Sequence, residues 1–429
     1  MITTTISGST GGALRAVPSF RAWQANSVDR GLLPVVAVAG GRGKSTVVRM
    51  VEGIVNHALL RAATWTNLGV ELRGRRQRGE IGGWALALSR LADSTLDIAI
   101  QEIHWSTINA VGLPPSSYPV IAMTNLSGTG EHLQEGDGID DAIRGAYRAA
   151  AAAHYRGTLV ASADDPALYD AARQTQAQLV VTAMSRESPI LRHHLASGGT
   201  GVWVEHDHVV GGELGDHALL CHVYDLACGH QGTAQFQVAN ALTAIAIASA
   251  VGIDRATIVA ALSGFLPSAE VLPGSFNSYQ AGNLRIVIDT LAPSWHLRQI
   301  LRAVNPGNQR RQVTVVGDLE WLPQGDVREV GRLLGRHPGA IVLHSNRDPR
   351  RVDAFRRGIA ANDYPPIVIH LPTERRALNR ALRTVRGDDI ALILTNADAG
   401  PATRAVQRFI ASPADAEAMQ VESQGTSIL

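Results

Sequence analysis

The chain has 429 residues, of which 39 are lysine or arginine, 38 are acidic and 45% are apolar. This composition is typical of a folded protein and lacks the basic excess of a dedicated nucleic-acid-binding protein. A single hydrophobic core stops growing near roughly 250–300 residues, so the length predicts two or three domains.

Three further classes of protein are excluded by simple counts. Cys221 and Cys228 are the only cysteines, too few for a disulfide framework or a four-thiolate metal site. No apolar run reaches the roughly 20 residues of a membrane-spanning helix. The first residues lack the apolar core of a secretory signal. We therefore expect a cytoplasmic protein without a membrane span.

The first part of the chain alternates between predicted strands and helices. An apolar run at 34–39 predicts a buried strand, a glycine-rich segment follows, and apolar periodicity predicts a helix over 47–60. Further strands are predicted at 97–103, 119–124, 158–161 and 178–182, and helices at 140–153, 166–175, 238–251 and 254–263. Short segments between 198 and 235 predict hairpins at a sheet edge. The alternation predicts a mostly parallel sheet with helices on both faces.

A second α/β series follows a boundary at 266–274, where two prolines and a glycine interrupt the periodicity. Strands are predicted at 284–289, 312–316, 340–344, 366–370 and 390–394, and helices at 294–304, 326–336, 349–360, 374–385 and 401–410. The predicted segments are an N-terminal extension at 1–30, a central domain at 31–268, a smaller Rossmann-like domain at 269–411 and a flexible tail at 412–429.

The sharpest chemical signal is the glycine-rich segment, which reads Gly40-Gly41-Arg42-Gly43-Lys44-Ser45-Thr46. Glycines let backbone N–H groups approach phosphate oxygens, and the helix that follows directs its positive end towards them. In such loops the lysine contacts the terminal phosphates and the serine hydroxyl can bind Mg²⁺. The pattern predicts a nucleotide-binding site. The alternative is a glycine turn with an incidental lysine.

Lys44 is also the single lysine among the 39 basic residues. Arginine can replace most surface lysines, but its planar guanidinium is not equivalent to a compact ammonium group that contacts a phosphoryl group. The retention of a lysine at this one position therefore favours the phosphate-binding interpretation.

Several separated segments resemble the motifs of the Mur ligase superfamily. The loop resembles G-T-x-G-K-[ST], and the remaining motifs correspond to residues 101–103, 124–126 with Glu131 and His132, 161–166, 236–242, 273–277 and 316–318. Within the superfamily the chain is most similar to the Mur-ligase-like half of cyanophycin synthetase, and the run at 42–49 resembles the poly-γ-glutamate synthase ligase. The resemblance covers about residues 31–411, and the order and spacing of the motifs make it specific.

The resemblance implies a central ATP-binding domain and an ADP-forming ligase, which joins a carboxylate to an amine through an acyl phosphate. The cofactors it implies are ATP and Mg²⁺. It assigns catalysis to Lys44, Glu102 and His132, and Mg²⁺ binding to Ser45 and Glu102. It places His132 at a second metal or at the carboxylate, Asn240 at adenine and Asp289 at the ribose.

The sequence also departs from the superfamily pattern. No lysine occupies the position of its carbamylated lysine, which falls near Ala146, and Ser275 replaces the arginine of the P-G-R motif. An ATP-binding regulatory or assembly subunit without ligase activity therefore remains an alternative, as does an unrelated phosphate-loop NTPase. Because the segment before the first predicted strand is short, we expect no UDP-sugar-binding domain there. We expect instead a small-molecule, peptide or polyamide acceptor, or an acceptor held by a partner protein.

Two other polar features have structural interpretations. Asp164 and Asp165 precede Pro166, a pattern that favours the N-terminus of a helix. The arginine-rich run at 73–78 predicts an exposed loop, with contact to an acidic substrate as the alternative.

Overall fold

The computed structural model describes residues 35–76, 96–113, 116–126, 139–304, 310–396 and 398–411. Contacts between residues divide the chain into two compact units with the main boundary at Leu266. This lies close to the domain boundary predicted after residue 268. Each unit contains one sheet.

The sheet of the first unit has eleven strands in the described part of the chain. They are β1 Val35–Ala39, β2 Ala62–Thr66, β3 Gly69–Leu72, β4 Arg75–Arg76, β5 Ile98–Ile103, β6 Tyr118–Met123, β7 Ala153–Ser162, β8 Gln178–Ala183, β9 Thr200–Glu205, β10 His208–Glu213 and β11 Asp216–His222. Their spatial order is β11-β10-β9-β8-β7-β6-β1-β5-β2-β3-β4. The seven central strands are parallel, and antiparallel hairpins form both edges.

Helices cover both faces of this sheet. They are α1 Lys44–His57, α2 Trp105–Val111, α3 Ile139–Ala152, α4 Pro166–Ala172, α5 Pro189–Ala196, α6 Gln235–Val251 and α7 Arg255–Ser263. Alternate residues of β1 point to opposite faces. Val36 and Val38 therefore pack with α1 and α6, whereas Val35, Ala37 and Ala39 pack with α2 and α3. Burial on both faces explains why β1 is a continuous apolar run.

The second unit has a six-stranded sheet of order β12-β13-β17-β14-β15-β16. Its strands are β12 Asn277–Ala281, β13 Leu284–Thr290, β14 Gln312–Val316, β15 Gly339–His344, β16 Ile367–Leu371 and β17 Ile390–Thr395, and its helices are α8 Ser294–Val304, α9 Val327–Leu334, α10 Pro349–Ala360, α11 Glu374–Leu382 and α12 Gly400–Ile410. All strands but β12 run parallel. The predicted fold class, a mostly parallel sheet followed by a smaller Rossmann-like unit, is confirmed.

The structure also contains elements that the sequence patterns did not predict: β2, β3, β4, β12, α2 and α5. Strand β2 contains two threonines, and one of them, Thr64, contacts a buried arginine of α1. The strand therefore lacks the apolar signal of a buried strand. Helix α1 begins at Lys44 rather than at residue 47, since Gly43 already adopts the left-handed conformation of its N-cap. Within the described ranges, none of the helices is long and apolar enough to cross a bilayer.

Candidate nucleotide and metal site

Three neighbouring strands of the first unit end at one edge of the sheet. Strand β1 lies between β5 and β6, all three are parallel, and Val38 is paired with Glu102. Open α/β sheets bind their ligands at the carboxyl ends of such strands. The glycine-rich loop follows β1, and Thr124 and Asn125 follow β6. The glycine-rich loop, Glu102 and the residues after β6 therefore lie at the same edge of the sheet.

Two glycines of the loop are required by its conformation. Gly40 and Gly43 both have positive φ angles, of 148° and 84°. A Cβ atom added at Gly40 would collide with Thr124 Oγ1, and one added at Gly43 would collide with Asn240 Oδ1. Gly43 is the N-cap of α1 and supplies no side-chain cap to the helix. The N–H groups of the first helical turn are thus suited to bind an anion.

The residues after β6 hold the loop in place. Asn125 Oδ1 accepts a hydrogen bond from Arg42 N at 3.0 Å, and Asn125 Nδ2 donates to Arg42 O at 2.9 Å. Asn125 O accepts from Gly41 N at 2.9 Å, and Thr124 Oγ1 donates to Arg42 O at 2.8 Å. The N–H groups of Gly41 and Arg42 therefore already have hydrogen-bond partners within the protein.

Lys44 is the first residue of α1 and is only 3% exposed. Its Nζ atom donates to Gly41 O at 2.8 Å, so the ammonium group folds back over the loop. A buried cation at a helix N-terminus adds to the positive potential of the backbone dipoles.

The two oxygens of the Glu102 carboxylate each accept a hydrogen bond. Ser45 Oγ donates to Oε2 at 2.6 Å, and His104 Nε2 lies 3.1 Å from Oε1. Burial by itself raises the pKa of this carboxyl group, but the His104 bond, the charge of Lys44 and the Ser45 bond outweigh that effect. The pKa of Glu102 is therefore below its usual range, and the carboxylate is ionised at neutral pH.

Ser45 and Glu102 fit a magnesium ion by the chemistry of their donor atoms. Mg²⁺ prefers hard oxygen ligands, and it is commonly held by one or two protein groups together with substrate phosphates and water. In the described part of the chain, no group of three or more histidine, cysteine, aspartate or glutamate residues could hold a metal ion. A magnesium ion here would take its other ligands from the nucleotide and water.

Asn240 lies at the same loop. It is on α6, its side chain is next to Gly43, and its Nδ2 donates to Gln237 Oε1 at 3.1 Å. The structure thus brings together Lys44, Ser45, Glu102 and Asn240. Contact of Asn240 with adenine stays a prediction.

The sequence analysis also named residues beyond these four. Glu131 and His132 lie outside the described residues. Asp289 lies in the second unit near the end of β13, is buried, and its Oδ1 accepts from Thr290 N at 2.7 Å; its contact with ribose stays a prediction. Ala146, near the expected position of the carbamylated lysine, lies on α3 and is buried in the apolar core that this helix forms with the sheet.

The structure supports the interpretation of the acidic pair as a helix N-terminus. The arginine-rich run is a loop only in part, because Arg75 and Arg76 form β4, and residues 77–78 lie outside the described residues. Asp165 is the N-cap of α4, and its side chain accepts hydrogen bonds from Leu168 N and Leu126 N. Arg73 lies in the β3–β4 turn. Because Leu72 pairs with Ala63 near the start of β2, this turn is at the amino edge of the sheet, opposite to the glycine-rich loop.

Two polar features were missed by the sequence analysis. His104 contacts Glu102, and its signal was its place just beyond the end of β5. The second feature is a buried cluster around Arg49, which is 4% exposed. Arg49 Nη1 and Nη2 donate to both oxygens of Glu71 at 2.7 Å, and Nη1 also contacts Glu52 Oε2 at 2.8 Å and Thr64 Oγ1 at 3.3 Å.

The chain resembles known proteins in sequence. It is 22% identical over 382 residues to cyanophycin synthetase of Synechocystis sp., covering 84% of this chain and 42% of that protein. It is 23% identical over 410 residues to cyanophycin synthetase of Nostoc sp., covering 93% and 45%. The chain thus spans less than half the length of these relatives. No family model matches it.

Solved structures with a similar fold include three of 16–17% sequence identity. E. coli FolC in complex with ADP gives a TM-score of 0.62, with 92% of this chain and 94% of that chain covered. MurF from Acinetobacter baumannii gives 0.61, with 92% and 80% covered. A pseudomurein peptide ligase type C from Methanothermus fervidus gives 0.59, with 88% and 79% covered.

Fold and site together define an α/β protein with a glycine-rich loop at the carboxyl edge of its first sheet. The comparisons identify that fold as the one of the Mur ligases. In sequence, they confirm the resemblance to cyanophycin synthetase that the motifs indicate.

Proposed function

We propose that this chain is an ATP-dependent, ADP-forming ligase that joins a carboxylate to an amine. The observation that carries the proposal is the arrangement at the start of α1, where a buried lysine, an uncapped helix N-terminus and the Ser45–Glu102 pair converge. The names of the relatives, a synthetase and several ligases, support the same reaction class. They give no support to a subunit without ligase activity.

In this proposal the loop and the first turn of α1 bind the phosphates of ATP. Lys44 neutralises negative charge on the terminal phosphoryl group as that group moves to the substrate carboxylate. Its burial strengthens this interaction because few water molecules compete for the ammonium group. Thr124 and Asn125 keep the loop in shape, so that its geometry is set before the nucleotide binds.

Ser45 and Glu102 would hold the Mg²⁺ that accompanies ATP, and this ion would neutralise phosphate oxygens. The lowered pKa of Glu102 keeps the carboxylate charged for this purpose. A neutral glutamic acid would bind a divalent cation poorly.

The proposed reaction has two steps. A carboxylate oxygen attacks the γ-phosphorus, the bond to the β-phosphate oxygen breaks, and ADP leaves. The amine nitrogen then attacks the carbonyl carbon of the acyl phosphate, inorganic phosphate leaves, and the amine loses a proton to the solvent. The products are an amide, ADP and phosphate.

We extend the proposal to an acceptor of amino-acid or peptide type. One neighbour of similar fold is named a peptide ligase, and the proposed chemistry requires an amine nucleophile. Delivery of the acceptor by a partner protein, contact of Asp289 with ribose, and a role for His132 stay predictions.

The test is to measure ADP release by the purified chain with a panel of amino acids and short peptides, and to identify the amide product by mass spectrometry. We expect ADP release that depends on an amine, and its loss in Lys44→Ala. Arg192→Ala is the matched control, because Arg192 is an exposed cation on α5. If the chain binds ATP but releases no ADP in response to any amine of the panel, the proposed ligase activity is contradicted. ATP hydrolysis that needs no amine would indicate a simple NTPase.

A further inference from the structure

The two oxygens of Glu102 have different neighbours, and this difference suggests different tasks. Oε2 receives the hydroxyl of Ser45, which lies in the first turn of α1 beside the phosphate-binding loop. Oε1 receives the imidazole of His104, the residue just before α2. Only Oε2 is next to the group proposed to share a metal ion.

Helix capping does not explain the side chain of His104. His104 is the N-cap of α2, yet its side chain makes no capping hydrogen bond to that helix. Asp165, the N-cap of α4, does make one, to Leu168 N. The His104 side chain is turned towards Glu102 instead and remains 34% exposed, whereas the Glu102 side chain is 3% exposed. His104 thus lies at the solvent side of a buried carboxylate.

We propose that His104 is a positioning residue for the metal site, a role that rests on the proposed function. By donating to Oε1, His104 prevents rotation of the Glu102 carboxylate, so that Oε2 is presented beside the Ser45 hydroxyl to a divalent cation. Groups that hydrogen-bond a metal ligand typically contribute about 10–100-fold to metal affinity, because they fix the ligand's orientation before the metal binds.

The test uses Mn²⁺ as a spectroscopic probe with the full chain. The Kd of Mn²⁺ is measured by electron paramagnetic resonance in the presence of a non-hydrolysable ATP analogue, and the Kd of that analogue is measured separately in EDTA. We expect His104→Ala to weaken Mn²⁺ binding at least about tenfold, while the affinity for the analogue in EDTA changes less than about twofold.

Two conservative variants separate positioning from general structural support. In His104→Gln the amide nitrogen can take the place of Nε2, so Mn²⁺ affinity should stay within about threefold of the unaltered chain. In His104→Asn the shorter side chain cannot reach Oε1, and binding should weaken as in His104→Ala. The comparison of His104→Gln with His104→Asn tests the positioning role even if His104→Ala fails to fold. His193→Ala, which removes an exposed histidine of α5, should change neither affinity.

Three results would overturn the inference. The first is unchanged Mn²⁺ affinity in both His104→Ala and His104→Asn. The second is equal weakening of Mn²⁺ binding and of metal-free nucleotide binding, since His104 would then support the loop rather than the metal ligand. The third is a His104→Gln variant as weak as His104→Asn. A failure of the unaltered chain to bind either the analogue or Mn²⁺ would overturn the proposed function as well.

Discussion

Two polar clusters lie along the same side of α1, because Ser45 and Arg49 are four residues apart in that helix. The clusters differ in the groups that contact their buried charges. In the Arg49 cluster a buried guanidinium contacts two carboxylates, with a bidentate pair to Glu71. In the Glu102 cluster the carboxylate accepts hydrogen bonds from Ser45 and His104, and Lys44 is near. The hydroxyl of Ser45 can turn and offer its oxygen to a metal ion, whereas the guanidinium of Arg49 has no such second role.

This difference separates a structural cluster from a candidate site. Burial and ionisation are common to both, so neither property identifies function. The Glu102 cluster lies at the N-terminus of a helix, beside a glycine loop with a left-handed N-cap, where an anion is stabilised. The Arg49 cluster lies in the helix interior and joins α1 to the β2–β3 hairpin. The following substitutions test the distinction, from the largest expected effect to the smallest.

Arg49→Met should give the largest loss of stability. The substitution leaves the carboxylates of Glu52 and Glu71 in a buried place without their cation, which typically costs about 3–5 kcal/mol. Urea denaturation measures the free energy of unfolding. Arg192→Met is the control, because the Arg192–Glu187 pair is exposed and should contribute at most about 1 kcal/mol. Equal losses in the two variants would mean that the Arg49 cluster does not stabilise the fold.

Lys44→Arg should reduce turnover at least about tenfold without a comparable loss of stability, since contacts to a developing charge are typically worth several kcal/mol. The guanidinium is larger than the ammonium group, and the space at Lys44 is almost fully enclosed. Steady-state ADP release measures the effect, and Arg192→Lys is the control. Full activity in Lys44→Arg would mean that the site does not require an ammonium group at this position.

Gly43→Ala should weaken nucleotide binding about fivefold or more, because the new Cβ atom displaces Asn240 from the loop. Strain at a positive φ angle costs about 1–2 kcal/mol by itself. Gly252→Ala is a matched control, since Gly252 has a φ angle of 88° and no atom near its added Cβ. Calorimetry with an ATP analogue compares the two. An equal affinity in both variants would mean that the contact with Asn240 has no part in binding.

Glu102→Gln should have the smallest effect on stability, and the effect should depend on pH. Because the folded-state pKa of Glu102 is lowered, the carboxylate stabilises the fold above the pKa of the unfolded chain, about 4.3. That contribution is lost as the pH falls through the lowered folded-state pKa. Urea denaturation in EDTA should therefore show a shallower decline in stability for Glu102→Gln below about pH 5. A steeper decline would contradict the direction of the shift.

The sequence predicted the elements whose signals are local. Strand β1 is apolar throughout because both of its faces are buried, and the glycines and Lys44 mark the loop after it. The same reasoning predicted all five parallel strands of the second sheet, whereas β12, an antiparallel edge strand with alternating exposure, gave too weak a pattern. Strand β2 was missed because Thr64 faces Arg49, which breaks the apolar run.

Local patterns thus determined the α/β class, the position of the glycine-rich loop and the place of Glu102 at a strand end. The tertiary structure decided which side chains meet there. Ser45 and Glu102 are 57 residues apart in the chain, and Arg42 and Asn125 are 83 apart. Such pairs form only when parallel strands bring their carboxyl ends to one edge. A hydrogen bond requires donor and acceptor atoms within about 3 Å of each other. The spacing of two residues along the chain does not determine whether their side chains come that close.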